Sequence, residues 1–163
     1  MCGITGFIGN ENAYIQILAG LYQLQNRGYD SAGISVIEDG EIQTHKYAST
    51  DTLSALTQLS EFENQYENRF VGIGHTRWAT HGAKTDTNSH PHVSHDGLFS
   101  LVHNGIIENF QEIKKRLMEK GIEMKSQTDT EVIVNLIAVH FEECGDVEQA
   151  IKETTEELTG TWG

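Results

Sequence analysis

Apolar positions recur along this chain with two periods, short and alternating in its first half, helical and long in its second. Residues 3–9 (GITGFIG) set β-branched and aromatic side chains among glycines, which predicts a short strand that another backbone can approach closely. Asn12 is a favourable N-cap, and behind it Tyr14, Ile17, Leu18, Leu21 and Leu24 share one helical stripe that Gly28 is expected to stop. The runs ISVIE and EIQTHKYAS flank Asp39-Gly40, a dipeptide that predicts a hairpin. Asp51 is expected to cap a short helix carrying Leu53, Leu56 and Leu59. FVGIGHTRWATHG, residues 70–82, predicts a buried strand running into a loop.

The pattern then lapses. Residues 83–97 hold almost no aliphatic side chain but include His90, His92 and His95, and a polar loop of this length is expected to be functional or disordered. LFSLVHNG, residues 98–105, predicts another strand ending in a His103-Asn104-Gly105 corner. Three helices are expected after it. The first has Asn109 as N-cap, Glu112 at N3, and Phe110, Ile113 and Leu117 inward. The second opens with the capping-box pattern Thr128-Asp129-Thr130-Glu131 and buries Val132, Ile133, Leu136 and Ile137. The third runs from Asp146 to Leu158 and stops at Gly160. The terminal LTGTWG reads as the start of one more strand, so the domain is expected to continue beyond it. Strands first and helices later describe an α+β layered domain.

Length narrows the picture to one domain of 163 residues. A formal charge of −13, without a Lys/Arg run longer than three residues, argues against nucleic acid and anionic membrane surfaces as partners. The two cysteines, Cys2 and Cys144, cannot build a disulfide framework; with no signal peptide in view, a reducing cytoplasm is expected. No apolar run approaches the roughly 18 residues of a membrane span.

Cys2 brings in the chemistry. Initiator methionine is normally trimmed before a small residue, which would leave a thiol and a free α-amine on one residue. An unperturbed thiol titrates near ~8.5 and an α-amine near ~7.7–8.0, so the amine can take the thiol's proton, directly or through water. Nucleophile and base then share one residue, as in N-terminal threonine hydrolases. Retention of Met1 would bury that amine in a peptide bond and is expected to abolish activity. The alternating His90 and His92, with His95 and His103 nearby, invite a metal reading. There is no C-x-x-C or H-E-x-x-H spacing, so no metal is expected.

CGITGFIG behind a lone Met, RGYDSAG, GHTRWATHG, NSHPH, HNGIIENF and SQTDTEV follow one another in that order. Together they resemble the N-terminal glutaminase domain of the glutamine–fructose-6-phosphate aminotransferase family, within the N-terminal-nucleophile (class II) amidotransferases. The resemblance covers the whole chain, residues 1–163. The HTRWATHG and SQTDTE forms favour this family over the amidophosphoribosyltransferases, which remain the alternative, as does a glutamine-binding fragment without turnover.

The resemblance implies a four-layer αββα sandwich, truncated here at its C-terminal end. It implies hydrolysis of L-glutamine through a Cys2 thioester, with the oxyanion held at Asn104 and Gly105. Two donors aimed at a developing charge are each typically worth ~3 kcal/mol. Arg77 is implied to bind the substrate α-carboxylate, where a planar fork makes two charge-assisted bonds, and Asp129 the α-ammonium. Trp78, Thr80, His81 and His90 resemble the glutamine loop and its partners, and Arg27 is implied to orient the Cys2 region. No cofactor is implied. In the full-length enzyme the resemblance implies a phosphosugar isomerase region, absent from this chain, that uses the ammonia on fructose 6-phosphate, and a homo-oligomer.

Overall fold

Four antiparallel strands carry the first half of the chain: β1 (Gly3–Ile8), β2 (Ser31–Glu38), β3 (Glu41–Ala48) and β4 (Val71–Arg77), in the spatial order β1-β4-β2-β3. The computed structural model describes residues 2–65, 69–78 and 83–163. Two compact units make up the chain, Met1–Pro91 and His92–Gly163.

In the first unit β4 pairs with β1 from Gly3↔Thr76 to Ile8↔Val71, and with β2 from Ser31↔Arg77 to Val36↔Gly72. The expected β2–β3 hairpin turns at Asp39 (φ 50°) and Gly40 (φ 86°), the left-handed pair that a two-residue turn between twisted strands requires. α1 (Ala13–Leu24) starts where Asn12 accepts the N–H groups of Tyr14 and Ile15. Its buried Tyr14, Ile17, Leu18 and Leu21 pack with Ala32, Ile34 and Val36 of β2. The helix does not end at a left-handed Gly28: it tightens into a 3-10 turn, Gln25–Arg27, and Gly28 is extended, with φ −171°.

The next helix, α2 (Ala55–Ser60), joins the same core, but its cap is Ser54 and not Asp51. The Ser54 hydroxyl accepts the Thr57 N–H at 3.1 Å, three residues on, which is the reach of an N-cap; Asp51 lies too early. Leu53, expected inward, is exposed.

Residues 83–87 are exposed turn and bend, but the segment runs inward from Asn88 to Pro91. Asn88, Ser89 and His90 are buried, and Lys46 of β3 donates to the Ser89 carbonyl at 2.7 Å while the Ala48 N–H donates to Asp86 at 2.7 Å. The segment lies across the sheet face opposite α1. A Cβ on Gly33 would come within 2.2 Å of the His90 carbonyl oxygen, so only glycine admits this crossing.

In the second unit α3 (Phe110–Glu119), α4 (Asp129–Cys144) and α5 (Val147–Glu157) surround a core of Ile107, Ile113, Leu117, Val132, Ile133, Leu136, Ile137 and Leu158. Two short ribbons flank it: β5 (His92–Val93) with β6 (Ser100–Leu101), and β7 (Gly105–Ile107) with β8 (Gly160–Trp162). The strand expected over 98–105 is thus divided. Asp96 accepts the Leu98 N–H at 3.0 Å and draws exposed Leu98 into a turn, and pairing resumes only at Gly105.

Thr128 caps α4 as expected, accepting the Glu131 N–H at 3.3 Å. The reciprocal half of the box differs: buried Glu131 accepts the N–H groups of Lys125 (2.8 Å) and Ser126 (2.6 Å), not that of its own N-cap. Asn109 precedes α3 without capping it. Its amide donates to the Glu157 carbonyl at 2.8 Å and accepts the Thr159 N–H at 2.9 Å, clamping the approach to β8. α5 ends at Glu157, and Gly160, expected as its stop, opens β8. Among the described residues no helix is long and apolar enough to cross a membrane.

Candidate active site

Cys2 stands just before β1, and the register Gly3↔Thr76 brings it to the end of β4. There the Trp78 N–H donates to the half-buried Cys2 Sγ at 3.3 Å, and the Trp78 carbonyl lies 3.7 Å from the same sulfur. The Trp78 ring meets the Tyr29 ring edge-on, centroids 5.2 Å apart.

Arg77, the last residue of β4, is 6 % exposed despite its charge. Period two along β4 sets Arg77 on the same face as His75, the face crossed by residues 83–91. Its Nη1 donates to the Ala83 carbonyl at 3.5 Å. His90 is buried too, its ring stacked on that of His75 with centroids 4.3 Å apart. Arg27 is exposed in the 3-10 turn. Thr80 and His81, like Met1, lie outside the described residues.

In the second unit the corner at Asn104 is fixed by β8. Asn104 N–H donates to the Gly163 carbonyl at 3.0 Å and Gly163 N–H returns the bond at 2.9 Å. In an antiparallel ladder such exchanging pairs alternate with pairs that exchange none, so the N–H groups of Gly105 and Ile107 point away from β8. On that edge the Ile107 N–H donates to Asp129 Oδ2 at 2.9 Å. Gly105 N–H therefore leaves β7 on the side where Asp129 stands. Gly105 has φ 149°, and a Cβ there would come within 1.9 Å of the Thr161 carbonyl oxygen.

Asp129 does not spend its carboxylate on its own helix: one oxygen holds β7, and the other lies 3.9 Å from His103 Nδ1. His103 is buried and faces the Thr130 hydroxyl at 3.1 Å. Burial lowers its pKa below the ordinary imidazole value, against the opposing pull of Asp129 and of the Thr161 backbone. A neutral ring is thus built into the corner. Nothing in the local pattern singles out His103 and Thr130 as its supports; a hydroxyl at the second position of a helix carries no signal until the fold brings the corner to it.

His92 and His95 are also occupied. His92 Nε2 faces the Thr128 hydroxyl at 2.9 Å, and His95 Nδ1 faces Asn135 Oδ1 at 3.1 Å. Among the described residues no group of three His, Cys, Asp or Glu could hold a metal ion.

Residues 59–149 match the family described as a glutamine amidotransferase domain. The chain is 46% identical over 162 residues to the glutamine–fructose-6-phosphate aminotransferase (isomerizing) of Caldanaerobacter subterraneus subsp. tengcongensis, covering 99% of this chain and 26% of that protein. The same-named proteins of Clostridium perfringens and Pyrococcus horikoshii are 46% and 45% identical, with the same coverage. The chain therefore spans about a quarter of the length of these relatives. Among solved structures it resembles the glutamine phosphoribosylpyrophosphate amidotransferase of B. subtilis complexed with ADP and GMP, at a TM-score of 0.76, 27% identity, and 99% coverage of this chain against 34% of that one. A second, the allosteric regulatory enzyme of purine biosynthesis, matches at a TM-score of 0.80 with the same identity and coverage.

Proposed function

The chain belongs to the glutamine amidotransferase domain family, and from that premise we propose that it releases ammonia from the side-chain amide of L-glutamine. The observation that carries this reading is the seating of Cys2 at Arg77–Trp78: a sulfur receiving a backbone N–H, beside a buried guanidinium that suits a carboxylate.

With Met1 removed, the Cys2 α-amine takes the thiol proton and the sulfur attacks the amide carbon. The oxyanion forms against the Asn104 amide and the Gly105 N–H. Collapse breaks the C–N bond, and the proton held by the amine leaves with ammonia. Water then hydrolyses the γ-glutamyl thioester, giving glutamate and restoring the thiol. Arg77 holds the α-carboxylate and Asp129 the α-ammonium, while Trp78, Thr80, His81 and His90 line the substrate and Arg27 orients the Cys2 turn.

Residues 1–163 act as the glutaminase part of a longer enzyme that uses the ammonia to make glucosamine 6-phosphate from fructose 6-phosphate on a phosphosugar isomerase region. The identity of 46% to proteins of that name supports this acceptor over phosphoribosylpyrophosphate, whose enzyme is 27% identical. Neither Cys2 nor Cys144 is in a disulfide, which fits a cytoplasmic setting.

Intact mass before and after exposure to a glutamine-mimicking electrophile tests the reading. The expected species lacks Met1 and gains one adduct, at Cys2, that excess glutamine blocks. Retained Met1 with no adduct would sink it.

A further inference from the structure

The buried guanidinium of Arg77 sits in a circuit of contacts that closes on Arg77 itself. Its Nη1 donates to the Ala83 carbonyl at 3.5 Å, a long bond for a charged donor. That carbonyl also accepts from Asn88 Nδ2 at 3.0 Å and from the Thr85 N–H at 3.1 Å. Lys84, the next residue, pairs through its ammonium with the carboxylate of Asp30, which is only 8% exposed. Asp30 in turn donates its backbone N–H to the Arg77 carbonyl at 3.1 Å.

The shorter contacts decide where the Ala83 carbonyl sits, and the guanidinium follows. Five donors in one rigid plane turn together, so displacing one acceptor swings the whole fork. Lys84 brings its cation to a nearly buried carboxylate, which ties residue 84, and with it the Ala83 carbonyl, to Asp30.

We propose that Lys84 and Asn88 are positioning residues for Arg77: by fixing the Ala83 carbonyl they aim the guanidinium at the substrate α-carboxylate and set the preference for amides that bear one. This rests on the glutaminase reading, with Arg77 as the carboxylate clamp. The variants Lys84→Met and Asn88→Ala are compared with wild type and Lys84→Arg in the 163-residue chain, its loss of Met1 checked by mass. Each is assayed for ammonia release from L-glutamine and from 4-aminobutanamide, which is glutamine without its α-carboxylate.

KM for glutamine is expected to rise about tenfold in Lys84→Met and Asn88→Ala, with kcat changed by less than about twofold. The kcat/KM for 4-aminobutanamide stays level, and Lys84→Arg recovers most of the glutamine KM. An unchanged glutamine KM, or an equal loss on both amides, overturns the positioning role while leaving the glutaminase reading intact. A wild-type chain that neither hydrolyses glutamine nor gives calorimetric heat on binding it overturns both.

Discussion

Cys2 and Trp78 are 76 residues apart in sequence and meet because β1 and β4 pair in register, whereas Ile107 and Asp129 are separated by only 22 and are joined by one backbone bond at the start of a helix. The first unit holds Cys2 by sheet register, where a slip of one residue would turn every side chain to the opposite face. The second holds its corner by the direction of individual N–H groups on a three-residue strand. Long-range pairing makes the thiol's place robust to local change. Short ribbons make the Asn104–Gly105 corner depend on each bond.

Matched glycine lesions sharpen this contrast most. Gly105→Ala combines a φ of 149° with a Cβ 1.9 Å from the Thr161 carbonyl oxygen. It is expected to cost about 3 kcal/mol or more and to part β7 from β8. Gly33→Ala meets the His90 carbonyl at 2.2 Å without a left-handed backbone and should cost about 1–3 kcal/mol, displacing residues 83–91 while the sheet persists. Thermal melts with amide exchange read both. Equal costs, or loss of sheet protection in Gly33→Ala, would break the comparison.

A smaller effect comes from His103. Because burial lowers its pKa from the ordinary value of 6.5, folding favours the neutral ring. Its contribution is complete above that value and is lost as pH falls below it toward the folded-state value. Wild type should therefore lose more stability than His103→Gln between about pH 7 and pH 5. Parallel curves would refute the assignment.

The smallest test concerns a cap. Ser54→Ala should cost about 1 kcal/mol through the bond to Thr57, and Asp51→Ala less than about 0.5 kcal/mol. Denaturant midpoints at constant slope distinguish them, and the reverse order would restore Asp51.

Much of the frame is written in the chain. Asn12, Asp39-Gly40 and Thr128 act where local chemistry places them, since a cap or turn needs only neighbours within three or four residues. The apolar stripe of α1 likewise fixes which face is buried, whereas α4 is buried on every side from Thr130 to Val139. The motif order, read as a resemblance, led to the same family that residues 59–149 match. What local pattern misread was decided at a distance. Asn109 has the right type for an N-cap but finds better partners at Glu157 and Thr159. Asn88 to Pro91 read as part of a solvated loop because the polar groups buried there bond to Lys46 and to one another rather than making apolar contact. Asp129 reads as a favourable helix-start charge, and only the fold brings β7 to it. By itself the sequence determined most of the elements and the buried face of α1, because these follow from neighbours along the chain. Only the tertiary structure decided which N–H meets which acceptor, because a hydrogen bond depends on distances of a few tenths of an ångström between segments that the sequence keeps far apart.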